Sequence, residues 1–413
     1  MSNANALVSR PRTTHSYRLL LGIAALWIAF IALAGLLAFH TRFGMLDFGA
    51  YYQGALRIVR GEALYRGFVG NTYIYPPLLA QLLIPLTSLT QEAAAELWFG
   101  FSLIVLIAVT VMLDRLSKRR GFWWIIIPLF FPVLETLQVG QVTILLLALL
   151  MGAWYAVKTD RRFLGGGLLA LAAWIKVYPA LVILYFAWKR DWRIVFGGLI
   201  VGAALAGAQI AVSGIDKFLS MFPILFSLTN YGEFNLFAKN ASINGFATQL
   251  FGSLPLVQPL LTSPLLALIV RGLLSLALVI GTAWLTAGSS QNKRRFDLEY
   301  ALVITTALLL SPTLYASGMP PLLLVFFLLL RTHPTKRMIW FVVSACLVLS
   351  IYWLFVTGYS GNPPQSGLLV SFGFYTVLMT WSVNAILLRR QHMIAVSGLE
   401  KPPIFQEGQM IQP

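Results

Sequence analysis

The sequence predicts an all-α polytopic membrane protein, a bundle of about 12 transmembrane helices with short interfacial helices in the first outer loop. Three observations predict it. The 413 residues are 58% hydrophobic and only 11% charged, whereas a soluble domain carries roughly 25% charged residues. Apolar runs such as Tyr17–Phe39 and Pro264–Ala287 are long enough, at about 1.5 Å per residue, to cross a hydrocarbon core of about 30 Å. The basic residues cluster between these runs with a consistent sidedness.

In chain order, residues 1–16 are polar and read as a disordered cytoplasmic N-terminus, and Tyr17–Phe39 as a retained first span. The stretch from Met45 to Pro77 is polar and aromatic and lies outside. Within it Asp47 to Arg60 has helical spacing, with Tyr51, Ala55 and Ile58 on one side. Pro76–Leu89 is apolar but short and proline-rich. Were it to cross, the basic run Arg115, Lys118, Arg119 and Arg120 would lie outside, so it reads as a re-entrant rim bordering a cavity.

Spans at Glu92–Leu113, Phe122–Leu134 and Val142–Val157 follow, the last two joined by a short turn from Glu135 to Gln141. The next pair, Leu164–Ile175 and Tyr178–Trp188, has arms of about 18 Å between basic flanks, which leaves Lys176 deep in the bilayer. Ile194–Val212 leads to a second outer loop over 213–263. Then come Pro264–Ala287, Tyr300–Tyr315, Met319–Leu330, Met338–Val356 and Leu368–Leu388. Residues 17–390 thus read as one transmembrane domain, with outer loops at 40–91 and 213–263 and a loose cytoplasmic tail over 391–413. Of the 30 Lys and Arg, Arg42, Arg57, Arg60, Arg66, Lys217 and Lys239 fall outside, Lys176 and Arg271 lie within membrane depth, and all others are cytoplasmic.

That distribution accounts for the formal charge of +16: it is the positive-inside bias of a membrane protein, not a nucleic-acid-binding face. Cys346 is alone, which excludes an internal disulfide and a thiolate cluster. The four histidines are scattered with no metal-binding spacing, and no metal or other cofactor is implied.

The candidate chemistry rests on few residues. Asp47 stands just past the first span, before Tyr51 and Tyr52, where a carboxylate can deprotonate an acceptor hydroxyl. A lysine near mid-membrane costs about 2.5–3.5 kcal/mol to insert, so Lys176 needs an anionic partner, and a lipid phosphate suits it. Arg271 follows the same logic nearer the outer edge. Tyr75, Glu135, Gln141, Asn240 and Ser242 are candidates for lining the same cavity.

DFGAYYQGALRIVRGEALY (47–65), YIYPPLLAQLLIPL (73–86), VGQVTILLLALL (139–150), GGGLLALAAWIKVYPALVIL (165–184), NASINGF (240–246) and LSPTLY (310–315) stand in this order. Together they resemble the GT87 type of GT-C membrane glycosyltransferases, which includes polyprenol-phosphate-mannose-dependent mannosyltransferases. The resemblance implies Asp47 as catalytic base and a polyprenyl-phosphate sugar donor. It implies basic residues on the donor phosphate, a role that fits Lys176 and Arg271. The family often carries Trp and then His after the Ser-Pro pair; here Tyr315 takes the Trp position and Ala316, Ser317 and Gly318 supply no His.

The expected reaction is inverting transfer of mannose or another sugar to a lipid or glycan hydroxyl on the outer face of the cell membrane. The rival reading is a transporter or flippase of lipid-linked sugars, which needs a similar phosphate site but no base.

Overall fold

The computed structural model describes residues 13–42, 44–65, 72–117, 119–227, 239–254, 257–288, 292–358 and 365–396. The expected disordered terminus up to residue 12, the tail from 397, and 228–238 of the second outer loop lie outside the described residues.

The chain is helical nearly throughout. Its first helices are α1 (Thr13–His40), α2 (Leu46–Val59), α3 (Pro77–Leu82), α4 (Gln91–Leu116), α5 (Phe122–Leu129), α6 (Phe131–Val139) and α7 (Thr143–Lys158). Then come α8 (Arg162–Ile175), α9 (Ala180–Trp188), α10 (Trp192–Ser213), α11 (Ile215–Leu219), α12 (Met221–Ser227) and α13 (Ile243–Phe251). The last are α14 (Pro264–Leu285), α15 (Lys293–Leu310), α16 (Leu322–Thr332), α17 (Lys336–Gly358), α18 (Gly367–Val370) and α19 (Phe372–Val396). One small parallel pairing joins β1 (Val257–Gln258) to β2 (Gln365–Ser366).

Among the described residues five helices, α1, α4, α10, α14 and α17, contain stretches long and apolar enough to cross a membrane, and up to six crossings result if α5 and α6 count as one bent span. They show the burial a lipid solvent allows: Leu265, Leu268, Leu273, Leu276 and Ile280 of α14 are exposed apolar residues with no water-soluble rationale. This is a multi-pass membrane protein. The remaining expected crossings fall on α7, α8, α9 and α16, which are short, on α15, whose first turns carry several charges, and on α19, which is interrupted by polar residues.

The core is the hairpin of α15 and α16. Leu322 to Leu329 is buried on every face, as expected of a helix that is apolar all round. Around it close α5, α6, α7, α9, α17 and α19. Charges at one end of α15 are satisfied in pairs. Asp297 accepts from Lys158 Nζ at 2.8 Å and from Trp154 Nε1 at 2.9 Å, and Glu299 pairs with Lys189 and Arg295.

Two elements depart from expectation. The span expected over Phe122–Leu134 is broken, with α5 and α6 meeting at 59°. Pro128 and Pro132 flank Phe130 and remove the backbone donors that would continue one helix. Glu135 therefore lies inside α6, not in a turn. The turn comes later, where Gly140 ends α6 at φ +70°. Segment 76–89 forms only α3 and one 3₁₀ turn over Ile84–Ser88. At about 9 Å, α3 is far too short to cross. It is pinned to α10, where Gln209 Oε1 accepts from Leu78 N at 3.0 Å and Gln81 Nε2 donates to the Gln209 carbonyl at 2.9 Å.

Helices α8 and α10 pack backbone to backbone through glycines, the small-residue device of membrane helices. A Cβ at Gly166 would stand 2.0 Å from the Ile194 carbonyl oxygen. Gly166→Ala is therefore expected to destabilise the protein by about 1–3 kcal/mol, seen as a lower melting temperature in detergent. Gly207→Ala on α10, where a Cβ meets nothing within 4 Å, is the near-neutral control.

Candidate active site

The site is built from the α2 N-terminus, the α6–α7 turn, the irregular segment over 73–76 and the α8–α9 turn. Helix α2 forms as its spacing predicts, with Tyr51 and Ala55 fully buried and Ile58 nearly so. Asp47 is in its first turn, where a carboxylate interacts favourably with the helix dipole. The chain enters through Met45, which holds φ +52° and donates its N–H to the Gln138 carbonyl at 2.7 Å. Gly140 makes this join possible. Beyond its positive φ, a Cβ there would stand 2.7 Å from Phe48 Cβ and 2.8 Å from Met45 Sδ. Trp98 Nε1 donates to the Gly140 carbonyl at 2.8 Å and ties α4 to the same point.

The next residue, Gln141, is the hub. Its Nε2 donates to Asp47 Oδ2 at 2.7 Å and to the Tyr75 hydroxyl at 3.1 Å. Its Oε1 accepts from the Tyr51 hydroxyl at 2.5 Å and from Val142 N at 3.0 Å. The rings of Tyr51 and Tyr75 meet edge to face at 5.2 Å. Tyr75 is held from behind by the Tyr65 hydroxyl, which donates to its carbonyl at 2.8 Å. Tyr73 braces the following turn by bonding the Pro76 carbonyl and Ala80 N.

Tyr75 also lines a cavity of about 320 Å³ together with Lys176, Val177, Tyr178, Leu181, Leu225, Leu310, Ser311, Pro312 and Thr313. Lys176 lies where α8 stops, and its Nζ stands 5.7 Å from the Tyr75 ring centre. No acid among the described residues pairs with it at salt-bridge distance, in contrast to Lys158 and Lys189. Among the described residues the cavity thus has one cation, a few hydroxyls and otherwise apolar walls.

Asp47 is half-buried, and burial pushes its carboxyl up to about 6, against the opposing pull of the Lys176 charge and the Gln141 hydrogen bond. A carboxyl of that strength suits a general base near neutral pH.

The structure brings Asp47, Tyr51, Tyr75, Gln141 and Lys176 together. The other sequence candidates take different places around this group. Tyr52 turns to the Leu89 carbonyl, 2.6 Å away, and braces the rim. Asn240 and Ser242 are buried and shape the 312–314 loop rather than line the cavity. Asn240 Nδ2 donates to the Pro312 carbonyl at 3.0 Å, its Oδ1 accepts from Leu314 N at 2.8 Å, and Ser242 caps α13. Arg271 donates to Asn244 Oδ1 at 3.2 Å and is not among the walls of this cavity. Glu135 accepts from Ser317 N at 2.8 Å, which docks the 3₁₀ turn over Ala316–Gly318 on α6. Tyr315, just before that turn, is within electrostatic reach of Asp47 and Tyr75. Sequence reasoning missed Tyr178 as a cavity wall; the only signal was its place two residues after a deep lysine and before Pro179. Among the described residues no group of three or more His, Cys, Asp or Glu is placed to hold a metal ion.

A polytopic helical protein with a carboxylate beside a half-lipophilic, cationic cavity is the class this site defines. The chain belongs to glycosyltransferase family 87, whose model matches residues 73–312. It is similar to the polyprenol-phosphate-mannose-dependent alpha-(1-2)-phosphatidylinositol pentamannoside mannosyltransferase of Mycolicibacterium smegmatis, with 32% identity over 148 residues, 34% of this chain and 35% of the relative. It is also similar to the polyprenol-phosphate-mannose-dependent alpha-(1-2)-phosphatidylinositol mannoside mannosyltransferase of Mycobacterium tuberculosis, with 28% identity over 208 residues, 42% of this chain and 48% of the relative. The matches span less than half the length of these relatives. No solved structure matches the chain.

An isotope-edited infrared titration of Asp47 is expected to give a midpoint near 6. Lys176→Met and Gln141→Leu should each move it upward, because each removes a group that favours the carboxylate. An unmoved midpoint in both variants would show that neither side chain governs this acid.

Proposed function

We propose that this protein is a GT-C-type glycosyltransferase. It moves mannose or a related sugar from a polyprenyl-phosphate donor to a hydroxyl of a lipid or glycan acceptor, at the outer face of the membrane. The single observation that carries the proposal is the Gln141 hub. It joins a half-buried carboxylate, Asp47, to Tyr75, which is itself a wall of the cavity that holds Lys176. Membership of family 87 and the donor named for the mycobacterial relatives support the choice of donor.

In this reading the donor phosphate lies against Lys176 and the polyprenyl chain runs along Leu181, Leu225 and Leu310. Asp47 takes the proton of the acceptor hydroxyl while its oxygen attacks the anomeric carbon. The bond from that carbon to the phosphate oxygen breaks, the configuration inverts, and polyprenyl phosphate leaves. A cation in a water-poor cavity stabilises the charge that collects on the leaving phosphate. No general acid is needed, because phosphate is already a good leaving group. The bundle of about 12 crossings, the domain bounds at 17–390 and the cytoplasmic placement of both termini belong to the same proposal.

The test is transfer from radiolabelled polyprenyl-phosphate sugars to a total lipid extract by purified protein. Asp47→Asn is expected to lower the rate by about 10²- to 10⁴-fold while donor binding persists. Undiminished transfer would refute the base; absence of transfer from every donor by folded wild-type protein would favour a transporter of lipid-linked sugars. The pH profile carries a sign. The working form is the carboxylate, so the rate should be full above pH 6 and fall about tenfold per pH unit below it.

A further inference from the structure

A second place on the molecule has the chemistry of a lipid site, at the opposite end of α8 from Lys176. Helix α8 has 14 residues, so its two ends stand about 20 Å apart. Around its start lies an open groove of about 650 Å³, lined by Arg161, Arg162, Phe163, Leu164, Arg193 and Phe196. Asp160 is the acid in its wall.

The packing of α8 on α10 makes the groove. The two helices run in the same direction: a Cβ at Gly197 would stand 2.3 Å from the Phe163 carbonyl oxygen, and farther along both helices Gly202 meets Ala170. Their basic starts are therefore side by side. Arg162 serves the scaffold. It pairs with Asp160 at 2.8 Å and with Asp191, which immediately precedes α10, and so ties the two starts together. Asp160 is also within electrostatic reach of Arg193, but it is exposed to solvent. Neither Arg161 nor Arg193 makes an ion pair among the described residues, and both are exposed. Lys158, Lys189 and Arg295 differ, because each meets a buried acid.

The groove is layered. Helix α10 is long and apolar enough to cross a membrane, so its first turn stands at a membrane boundary. Trp192 is exposed there, as tryptophans are at such interfaces. Arg193 lies in the same turn, and Phe196 is three residues on, on the same face and about 5 Å deeper. Arg161 and Leu164 repeat this order at the start of α8. Phe163, Leu164 and Phe196 are all exposed. Cations at the boundary with bare apolar surface one turn inward fit a molecule with an anionic head and hydrocarbon chains. A soluble anion would leave the phenylalanines uncovered, and a neutral lipid would leave the arginines without a counter-charge.

We propose that this groove binds an anionic phospholipid of the surrounding bilayer, its phosphate against Arg161 and Arg193 and its acyl chains along Phe163, Leu164 and Phe196. Basic pockets between membrane helices suit such headgroups. The site is separate from the cavity of Lys176 and does not depend on the reaction proposed there.

The test is native mass spectrometry of the full chain in detergent with dioleoylphosphatidylglycerol and dioleoylphosphatidylcholine, which share their chains and differ in charge. The wild-type protein is expected to bind the phosphatidylglycerol more tightly. Arg161→Gln combined with Arg193→Gln should lower that preference by about tenfold or more. Arg389→Gln combined with Arg390→Gln removes the same charge from exposed positions late in α19 and should leave the preference unchanged. Equal binding of the two lipids by the wild-type protein, full retention of the preference in the first double variant, or an equal loss in both would overturn the site. Displacement of the lipid by glycerol 3-phosphate would point to a soluble anion and overturn the lipid reading. If the first double variant fails to fold, a photo-crosslinkable phosphatidylglycerol on the wild-type protein, read by peptide mapping, takes its place. Adducts should concentrate on residues 161–164 and 193–196; adducts spread evenly over the lipid-facing helices would overturn the proposal.

Discussion

The end of the bundle that carries α2 depends on one side-chain amide. Gln141 has one oxygen and one nitrogen to offer, and both are used. The oxygen takes Tyr51 and its neighbour's N–H, and the nitrogen gives to Asp47 and Tyr75. These four partners come from three separate stretches of chain. A primary amide is suited to this position because it accepts and donates at once. A carboxylate there would repel Asp47, and a hydrocarbon would leave Tyr51 unpaired. The Gly140 carbonyl and the close approach of Gly140 to Phe48 fasten the same corner to α4 and α2. The acid is thereby held on a rigid support, although it begins a helix that follows an irregular connection.

The electrostatics divide the molecule into two ends of different character. At one end of α15, Asp297 and Glu299 are buried, and each meets cations at salt-bridge distance. Such pairs recover most of what burial costs and serve to hold helices in register. In the cavity the balance is left open. Among the described residues, Lys176 has an aromatic face and the field of Asp47, with no acid at salt-bridge distance. Sites that bind charged ligands keep uncompensated groups of this kind, because a fully paired cation would have to surrender a partner before it could take another.

Much of this was legible in the sequence, for identifiable physical reasons. Asp47 stood out because an acid at the mouth of an apolar run is rare, and α2 was readable because Tyr51, Ala55 and Ile58 keep helical spacing. Lys176 stood out because a cation inside an apolar hairpin is expensive. What failed was of a different kind. Glu135 was expected in the short turn that runs to Gln141, yet the chain restarts a helix after Phe130 and carries Glu135 along it. For Arg271, Asn240 and Ser242 the sequence could not show their partners, Asn244 and the 312–314 backbone, which are found only once the chain is folded. As a cavity wall Tyr178 was invisible, because a tyrosine in an apolar segment reads as packing. The absent family histidine has a local counterpart in the fold: residues 316–318 form a tight turn clasped by Glu135, so that position serves as a joint between α6 and the 311–315 loop.

The central claim is that one cavity joins the base to the leaving phosphate. A cryo-electron microscopy structure of the Asp47→Asn protein with a polyprenyl-phosphate sugar tests it most directly. The account predicts the phosphate within hydrogen-bond distance of Lys176 and the anomeric carbon turned toward residue 47. A phosphate seated against Arg271, or a sugar turned away from residue 47, would contradict it.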